Sequence, residues 1–420
     1  MKVAILGAGV TGITTAYYLA KEGCKVTVFD RASRAADETS FANGGQISIS
    51  QPFPWSSPDL PLKMLKWFGR KDAPLVVRLQ NDPHMWAWTL RFLLSARPSV
   101  YYKNAAKVIR LALHSKTCLD IVAQDEGLDY HRQTRGILKL FNDAASAKEA
   151  TKQQIWLREH GLEQQLLSPA DCVTIEPALR QGTSKFIGGT HCALDESGDA
   201  HLFAGQLEQA ARKLGVLFKY DHTITGLETN GSEVISVTVN GKVKKFDKYV
   251  LSSGSYSALF AKQININLPV YPVKGYSVSL PITTPDAAPQ VSITDISQHV
   301  VISRLGDVLR AAGTAEICGY DLSANKTRED MVLNSVSGLF PGAGDTAQAE
   351  RWCGLRPMAA DGVPVIGGSR YSNFYLNTGH GHLGWTLCCG SAQLLAAAMT
   401  GKSTELDIGA YSIKRFQAHK

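Results

Sequence analysis

Three glycines near the start of the chain are spaced for binding a diphosphate. Gly7, Gly9 and Gly12 follow the apolar stretch Val3–Leu6, typical of a buried parallel strand, and precede a helical pattern over Ile13–Glu22. The first glycine allows a tight turn, the second lets the backbone approach a pyrophosphate, and the third lets the helix pack close to the strand. N–H groups at the start of that helix attract an anion. The pattern predicts a dinucleotide site formed by Gly7, Gly9, Val10, Thr11 and Gly12.

An acidic residue ends the next apolar strand. Lys25–Phe29 reads as that strand, and Asp30 and Arg31 follow it directly. A carboxylate at this place can accept hydrogen bonds from both hydroxyls of a ribose. Strand, turn, helix, strand and acid therefore occur in the order of a dinucleotide-binding unit. The alternative is a chance glycine turn in another α/β protein.

A small, polar, glycine-rich loop favours FAD over NAD as the dinucleotide. It covers Thr39–Gln46, and a loop of this composition can approach a second part of the same cofactor, whereas the alternative is an ordinary surface loop. The strand-to-loop element Leu251–Ser257 is also expected to pack against the cofactor. From these segments we predict cofactor contacts by Ser40, Ala42, Asn43, Gly44, Gly45, Gln46 and Gly254, and we add Ile224 as a further candidate.

Two glycine-rich stretches mark the last third of the chain. They are Gly354–Gly367, which contains Arg356, and Asn377–Thr386, which precedes an apolar helix. A flavin that accepts a hydride develops negative charge, and a helix N-terminus stabilises negative charge nearby. We therefore predict that the second stretch binds the flavin, through Gly379, Gly381, Leu383, Gly384, Trp385 and Thr386.

Length and composition exclude several classes of protein. The chain has 420 residues, 44% hydrophobic and 19% charged, with a formal charge of +7. These values are ordinary for a globular protein of two or three domains and exclude collagen-like, coiled-coil and disordered chains. The charge makes no case for nucleic-acid binding. Eight cysteines without a C-x-x-C pair indicate no metal site and fit a reducing compartment. Without a signal-peptide pattern, we expect a cytoplasmic location.

Gln51–Asn104 combines aromatic and basic residues. Four of the seven tryptophans lie there, among lysines and arginines. Such a mixture suits the interface of a membrane, so peripheral contact with the cytoplasmic face of an inner membrane is one expectation. The favoured alternative is an insert that covers the active site and packs its aromatic side chains inward. The residues concerned are Trp55, Trp67, Phe68, Trp86, Trp88, Lys63, Lys66, Arg70, Lys71, Arg78, Arg91 and Arg97.

Taken together, these motifs resemble the FAD-dependent D-amino-acid dehydrogenase family, within the D-amino-acid, glycine and sarcosine oxidase superfamily. The resemblance covers nearly the whole chain. It rests on the first glycine turn, the Ala42–Gln46 loop, Gly198–Phe203, Pro272–Ser277 and Gly354–Pro357, together with Gly379–Trp385. The sequence departs from the family pattern at Ala359–Ala360, commonly Thr-Pro, at His382, commonly threonine, and at Asp30, often glutamate.

The resemblance implies a Rossmann-like α/β domain that binds FAD, interleaved with an α+β substrate domain built on a mixed sheet. We assign 1–50, 197–262 and 350–420 to the FAD-binding domain, and 51–196 and 263–349 to the substrate or cap domain. The implied reaction is oxidative deamination of a D-amino acid to a 2-oxo acid and ammonia, with hydride transfer from the α-carbon to FAD N5. Electrons then pass to a quinone or another carrier.

The resemblance also implies which residues act on the substrate. Arg356 is expected to bind the substrate carboxylate, because related amine oxidases have such an arginine in this Leu-Arg-Pro run; Arg304 and Arg310 are alternatives. Tyr276 is a candidate for bonding the carboxylate or closing the pocket. His380 and His382 are candidates for accepting a proton or stabilising reduced flavin. Two other functions stay open: an oxygen-using glycine, sarcosine or D-proline oxidase, and a non-catalytic FAD-binding subunit.

Overall fold

A computed structural model of the protein describes residues 1–67 and 73–417. The strands are β1 (Lys2–Leu6), β2 (Lys25–Phe29), β3 (Gln46–Ile47), β4 (Leu75–Val77), β5 (Ile137–Phe141), β6 (Gln165–Leu167), β7 (Gly188–Cys192), β8 (Glu196–Ser197), β9 (Leu217–Lys219), β10 (Ile224–Thr229), β11 (Val234–Val239), β12 (Lys242–Lys244), β13 (Lys248–Leu251), β14 (Val270–Pro281), β15 (Ser292–Asp295), β16 (Val300–Leu305), β17 (Val308–Ile317), β18 (Glu350–Ala359), β19 (Val365–Gly368) and β20 (Phe374–Thr378). The α-helices are α1 (Val10–Lys21), α2 (Leu60–Trp67), α3 (Pro83–Leu94), α4 (Pro98–Asp125), α5 (Ala144–Glu159), α6 (Pro169–Ile175), α7 (Ala200–Lys213), α8 (Ser257–Gln263), α9 (Lys326–Leu339) and α10 (Gly384–Thr400).

A six-stranded sheet forms the Rossmann-like layer. Its order is β19-β20-β13-β1-β2-β9, and its pairs are parallel except β19 with β20. Leu6 at the end of β1 lies beside Phe29 at the end of β2. The glycine turn after β1 and the acid after β2 therefore meet at one edge of the sheet. This is the edge where open parallel sheets bind ligands.

A larger mixed sheet faces the other side of that edge. It runs β18-β14-β17-β16-β15-β5-β7-β6, and β4 joins it alongside β17. The pairs β15–β5 and β4–β17 are parallel, and the others are antiparallel. The predicted fold class, a Rossmann-like domain interleaved with a mixed-sheet domain, is confirmed.

At two places the packing of the elements differs from the predicted division into an FAD-binding and a substrate domain. β18 pairs with β14 over its whole length in the larger sheet, whereas we assigned 350–420 to the FAD-binding domain. α4 lies in the predicted substrate segment 51–196 but packs against α10, which lies in the predicted FAD-binding segment. The two helices are so close that a Cβ added to Gly390 of α10 would lie 2.7 Å from the Cα of Ser115 of α4. An apolar pattern identifies a strand or helix but not the partner against which it packs.

The segment Gly381–Thr400 is, within the described residues, the one helical segment long and apolar enough to cross a membrane. Most of it is buried in the structure, and α10 packs between α1 and α4. A long helix that is apolar all round is also what the core of a large domain requires. Its position here is that of a core helix whose first residues reach the site.

Candidate active site and cofactor cavity

The turn at Gly7–Gly12 requires glycine at two positions. Gly7 has a φ of +114°, and a Cβ at this residue would lie 2.6 Å from the carbonyl oxygen of Ser252. A Cβ at Gly12 would collide with the carbonyl oxygen of Gly7, so a larger residue would push α1 away from β1. α1 begins at Val10, and its first residues face a cavity at the edge of the sheet. A diphosphate there would meet a helix N-terminus.

The acid after β2 is held against this turn. One carboxylate oxygen of Asp30 accepts from the N–H of Ala8 at 2.5 Å, and the other accepts from the N–H of Ala32 at 2.8 Å. The guanidinium of Arg31 lies 4.0 Å from the ring centroid of Tyr256 and pairs with Glu38. The two predicted residues therefore line the same end of the cavity.

The glycine-rich loop is fixed to the larger sheet. Gln46 donates its side-chain N–H to the hydroxyls of Ser292 and Thr294, at 2.9 Å and 3.1 Å. Arg310 donates to the carbonyl oxygen of Asn43 at 3.2 Å. A Cβ at Gly44 would collide with Val301 and lie 3.2 Å from Ala312. The loop thus lies directly on the second domain and faces the cavity with its other side.

A cavity of about 520 Å³ joins the two sheets. Most predicted site residues line it: Gly7, Gly9, Val10, Thr11, Asp30, Arg31, Ser40, Ala42, Asn43, Gly44, Ile224, Gly254, Tyr276, Arg356, His380, Gly381, His382, Gly384 and Trp385. Six predicted residues are not in its lining: Gly12, Gly45, Gln46, Gly379, Leu383 and Thr386. They lie behind the wall; Thr386, for example, accepts a hydrogen bond from the N–H of Ser48 at 3.0 Å.

Arg356 is a desolvated cation without a described counter-ion. Its guanidinium lies over Gly275, where any Cβ would collide with it, and 5.7 Å from the ring centroid of Trp55. It donates to the carbonyl oxygen of Thr314 at 3.1 Å. No carboxylate of the described residues lies within 4.0 Å of it. Burial lowers the pKa of this guanidinium to about 10, so it stays charged at neutral pH.

Thr314 presents its carbonyl oxygen to Arg356 from an unusual backbone conformation. Its φ is +52°, rare for a β-branched residue, and it lies at an irregularity in the pairing of β14 with β17. Bulges and unusual dihedral angles cluster at functional sites. The sequence offered no signal for this residue.

The two histidines are neutral groups in this site. His380 shares a hydrogen bond with the Ser391 hydroxyl at 3.0 Å, and burial lowers its pKa to about 3. His382 stacks on Trp55, with ring centroids 5.2 Å apart, and its Nε2 atom is buried without a partner among the described residues. Burial lowers the pKa of His382 to about 3, and the charges of Arg356 and Lys139 act in the same direction. Neither is a strong base at neutral pH.

Tyr276 contributes its ring to the cavity wall. Its hydroxyl donates to Glu316 at 2.9 Å, and that carboxylate also lies 3.3 Å from the Nζ of Lys274. Burial, followed by this hydrogen bond, raises the pKa of Tyr276. The alternatives for the carboxylate arginine lie elsewhere: Arg310 holds the glycine-rich loop, and Arg304 donates to backbone carbonyl oxygens of Gly306 and Pro285.

The aromatic-basic segment divides between the site and the surface. Trp55 contacts Arg356 and His382, and Trp88 is buried, whereas Trp86 is 50% exposed. Sequence reasoning placed Trp55 in this segment but did not assign it to the active site. Phe68, Arg70 and Lys71 lie outside the described residues, as do the side chains of Lys63, Lys66 and Trp67.

The residues around the cavity fit a flavin dinucleotide. The turn at Gly7–Gly12 leaves room for a diphosphate at a helix N-terminus, and Asp30 lies where a ribose would be bound. The hydroxyl oxygen of Ser252, beside the turn, is buried without a partner among the described residues. The cavity continues past the glycine-rich loop to the second domain and ends near Arg356. Fold and site together are those of a flavoprotein with a separate substrate end.

Comparisons with known proteins agree with this class. The family described as DAO, FAD dependent oxidoreductase, matches residues 2–398. The D-amino acid dehydrogenase of Paramagnetospirillum magneticum is 43% identical over 420 residues, with 100% of both chains covered. That of Agrobacterium fabrum is 42% identical over 418 residues, again covering 100% of both. The chain belongs to the FAD-dependent oxidoreductases and, within them, to the D-amino acid dehydrogenase family. The predicted family and the predicted FAD cofactor are confirmed.

Solved structures confirm the fold at low sequence identity. Glycine oxidase from Geobacillus kaustophilus has a TM-score of 0.78 and 22% identity, covering 98% of each chain. L-proline dehydrogenase from P. horikoshii has a TM-score of 0.76 and 17% identity, covering 99% of this chain and 97% of its own. At these identities the likeness concerns the fold alone.

Proposed function

We propose that the protein oxidises the Cα–N bond of a D-amino acid, and that Arg356 binds the substrate carboxylate. The resulting imine is hydrolysed by water to a 2-oxo acid and ammonia. When bound, FAD supplies the acceptor for the hydride that leaves the α-carbon. Membership in the D-amino acid dehydrogenase family supports the reaction. The observation that supports the carboxylate site is a largely desolvated guanidinium on the cavity wall that has no acidic partner among the described residues.

A desolvated charge without an acidic partner among the described residues needs a compensating interaction. Taking a guanidinium out of water is costly, and proteins usually compensate it with a carboxylate. Arg356 has the ring of Trp55 and one carbonyl oxygen instead. A substrate carboxylate would supply the missing opposite charge, and the planar fork of arginine binds a carboxylate through two parallel hydrogen bonds. The site should therefore bind an amino acid more tightly than an amine that lacks the carboxylate.

The remaining groups orient the substrate and need not take up its proton. The amino group must be neutral when the hydride leaves, so that its lone pair can form the imine. With pKa values lowered to about 3, His380 and His382 act as neutral hydrogen-bonding groups. The positive charges of Arg356 and Lys139 near His382 also disfavour a bound ammonium group. The substrate therefore loses its proton to water before or during entry.

The electron acceptor and the location of the protein belong to the proposal too. We infer a quinone or another carrier as acceptor, and peripheral attachment to the cytoplasmic face of the inner membrane. The dehydrogenase relatives support an acceptor other than oxygen. Exposed aromatic and aliphatic residues near arginines that pair with no described carboxylate support the attachment.

An anaerobic titration tests the reaction. The holoenzyme is mixed with D-amino acids, their L enantiomers, glycine, sarcosine and proline, and the visible absorption of the flavin is followed. D-amino acids should bleach the flavin, and a quinone analogue should restore its absorption faster than air does. Rapid recovery in air with stoichiometric peroxide would instead indicate an oxidase. If no amine bleached the flavin, the chain would be a non-catalytic FAD-binding subunit.

A further inference from the structure

Helix α3 has apolar side chains on two opposite faces. Its inner face buries Met85, Trp88 and Phe92, and the indole N–H of Trp88 donates to the carbonyl oxygen of Met358 at 2.8 Å. Its outer face exposes Trp86, Leu90, Leu93 and Leu94, at 50%, 61%, 37% and 48%. One face is sufficient to anchor the helix to the protein. The outer face, spaced at helical intervals, is large, apolar and uncovered in the described structure.

The same part of the chain is basic and free of acids. From Pro83 to Leu119 the sequence has six lysines and arginines but no aspartate or glutamate. Arg91 and Arg97 border the outer face of α3 and donate to the backbone carbonyl oxygens of Ala87 and Leu94. Neither forms an ion pair with a described carboxylate. Their charges remain available to an anionic partner.

This outer face is linked to the border of the cavity. Leu79, shortly before α3, is 68% exposed, and the side chain of Gln80 donates to the carbonyl oxygen of Cys318 at 2.8 Å. Cys318 begins the loop that carries Leu322, which is 48% exposed and lines the cavity. Exposed leucines therefore lie on the connected segments between α3 and the cavity.

We propose that the outer face of α3 docks onto an anionic lipid bilayer, with the leucines and Trp86 in the interface and Arg91 and Arg97 against the headgroups. The proposal rests on the proposed function, because a lipid-soluble acceptor would be reached from that surface. A second copy of the chain fits less well. In a symmetric contact the same basic faces would meet, and no acid between Pro83 and Leu119 could pair with the arginines.

Vesicle co-sedimentation tests the surface. The holoenzyme is mixed with vesicles of phosphatidylcholine alone or of equimolar phosphatidylcholine and phosphatidylglycerol. Leu90→Glu should weaken binding to the anionic vesicles by roughly tenfold or more, as expected for losing one buried leucine and adding a negative charge. The matched control is Leu217→Glu, an exposed leucine on β9 at 55%, which should change binding by less than about twofold. Arg91→Gln with Arg97→Gln should weaken binding to anionic vesicles more than to neutral ones.

Two outcomes would overturn the docking surface. One is wild-type binding no greater than that of an inert protein. The other is a wild-type dimer that Leu90→Glu converts to a monomer without changing vesicle binding, which would identify a second copy as the occupant. Flavin reduction by a D-amino acid, measured without vesicles on the same samples, reports the proposed function separately. A variant that bleaches normally but does not sediment has lost the surface and kept the chemistry.

Discussion

Replacing Arg356 by glutamine should remove recognition of the carboxylate while leaving FAD bound. The guanidinium lies half-buried on the cavity wall, its described contacts are a carbonyl oxygen and an indole ring, and it has no described acid within 4.0 Å. The substrate would be its counter-charge, so the variant loses one half of a buried, hydrogen-bonded ion pair. Such truncations cost about 2–5 kcal/mol. At about 1.4 kcal/mol per factor of ten, kcat/KM should fall by roughly 30- to 4,000-fold.

Anaerobic stopped-flow measurement of flavin reduction separates this role from a structural one. The wild type should reduce far faster with D-alanine than with ethylamine, which lacks the carboxylate, and Arg356→Gln should largely abolish that preference. Arg370→Gln, at an exposed arginine beside Tyr371, serves as the control and should behave like the wild type. If Arg356→Gln kept its FAD and stayed within about threefold of wild-type kcat/KM, the ion-pair argument would be refuted.

Three further variants test the supports of the site. Gly275→Ala should displace the guanidinium of Arg356 and lower kcat/KM with FAD retained, whereas Gly205→Ala, on α7 with open space around it, should leave activity unchanged; steady-state kinetics decides. Arg310→Gln should loosen the glycine-rich loop and lower the flavin-to-protein absorbance ratio, with little effect on the preference for a carboxylate in the molecules that keep FAD. Burial raises the pKa of Glu316, but the hydrogen bond from Tyr276 and the charges of Lys274 and Arg78 outweigh burial and hold this pKa below its ordinary value. Its contribution to stability is therefore present above the ordinary glutamate pKa and lost as pH falls, so Glu316→Gln should flatten the acid side of a melting-temperature profile.

Local sequence signals predicted the elements, but not which sheet each strand would join. The helical pattern over Ile13–Glu22 corresponds to α1, and the strand predicted over Lys25–Phe29 is β2. Alternation or a run of apolar residues identifies a strand, but its partner depends on contacts far along the chain. For this reason the predicted FAD-binding segment 350–420 includes β18, although β18 pairs with β14 in the larger sheet.

The glycine-rich half of the site was visible in the sequence, and the wall of the substrate end was not. Glycines needed for a turn or a close approach are readable because few other residues fit there. Trp55 gave no such signal, since a tryptophan among basic residues also suits a surface. Its role depends on the distance to Arg356, which only folding sets. Thr314 is a similar case, because a carbonyl group carries no side-chain signature.

Two buried charged side chains, Asp195 and Lys139, both bond to Ser50, five residues before Trp55. The N–H and hydroxyl of Ser50 donate to Asp195, and its carbonyl oxygen accepts from the Nζ of Lys139 at 2.9 Å. Burial lowers the pKa of Lys139 and raises the pKa of Asp195, so desolvation of these two groups is a cost to the fold. Buried charged groups are weak evidence for stability, but their hydrogen bonds can fix one arrangement of the backbone among several. Here they fix the backbone that leads to Trp55, and through that ring they position the surroundings of Arg356.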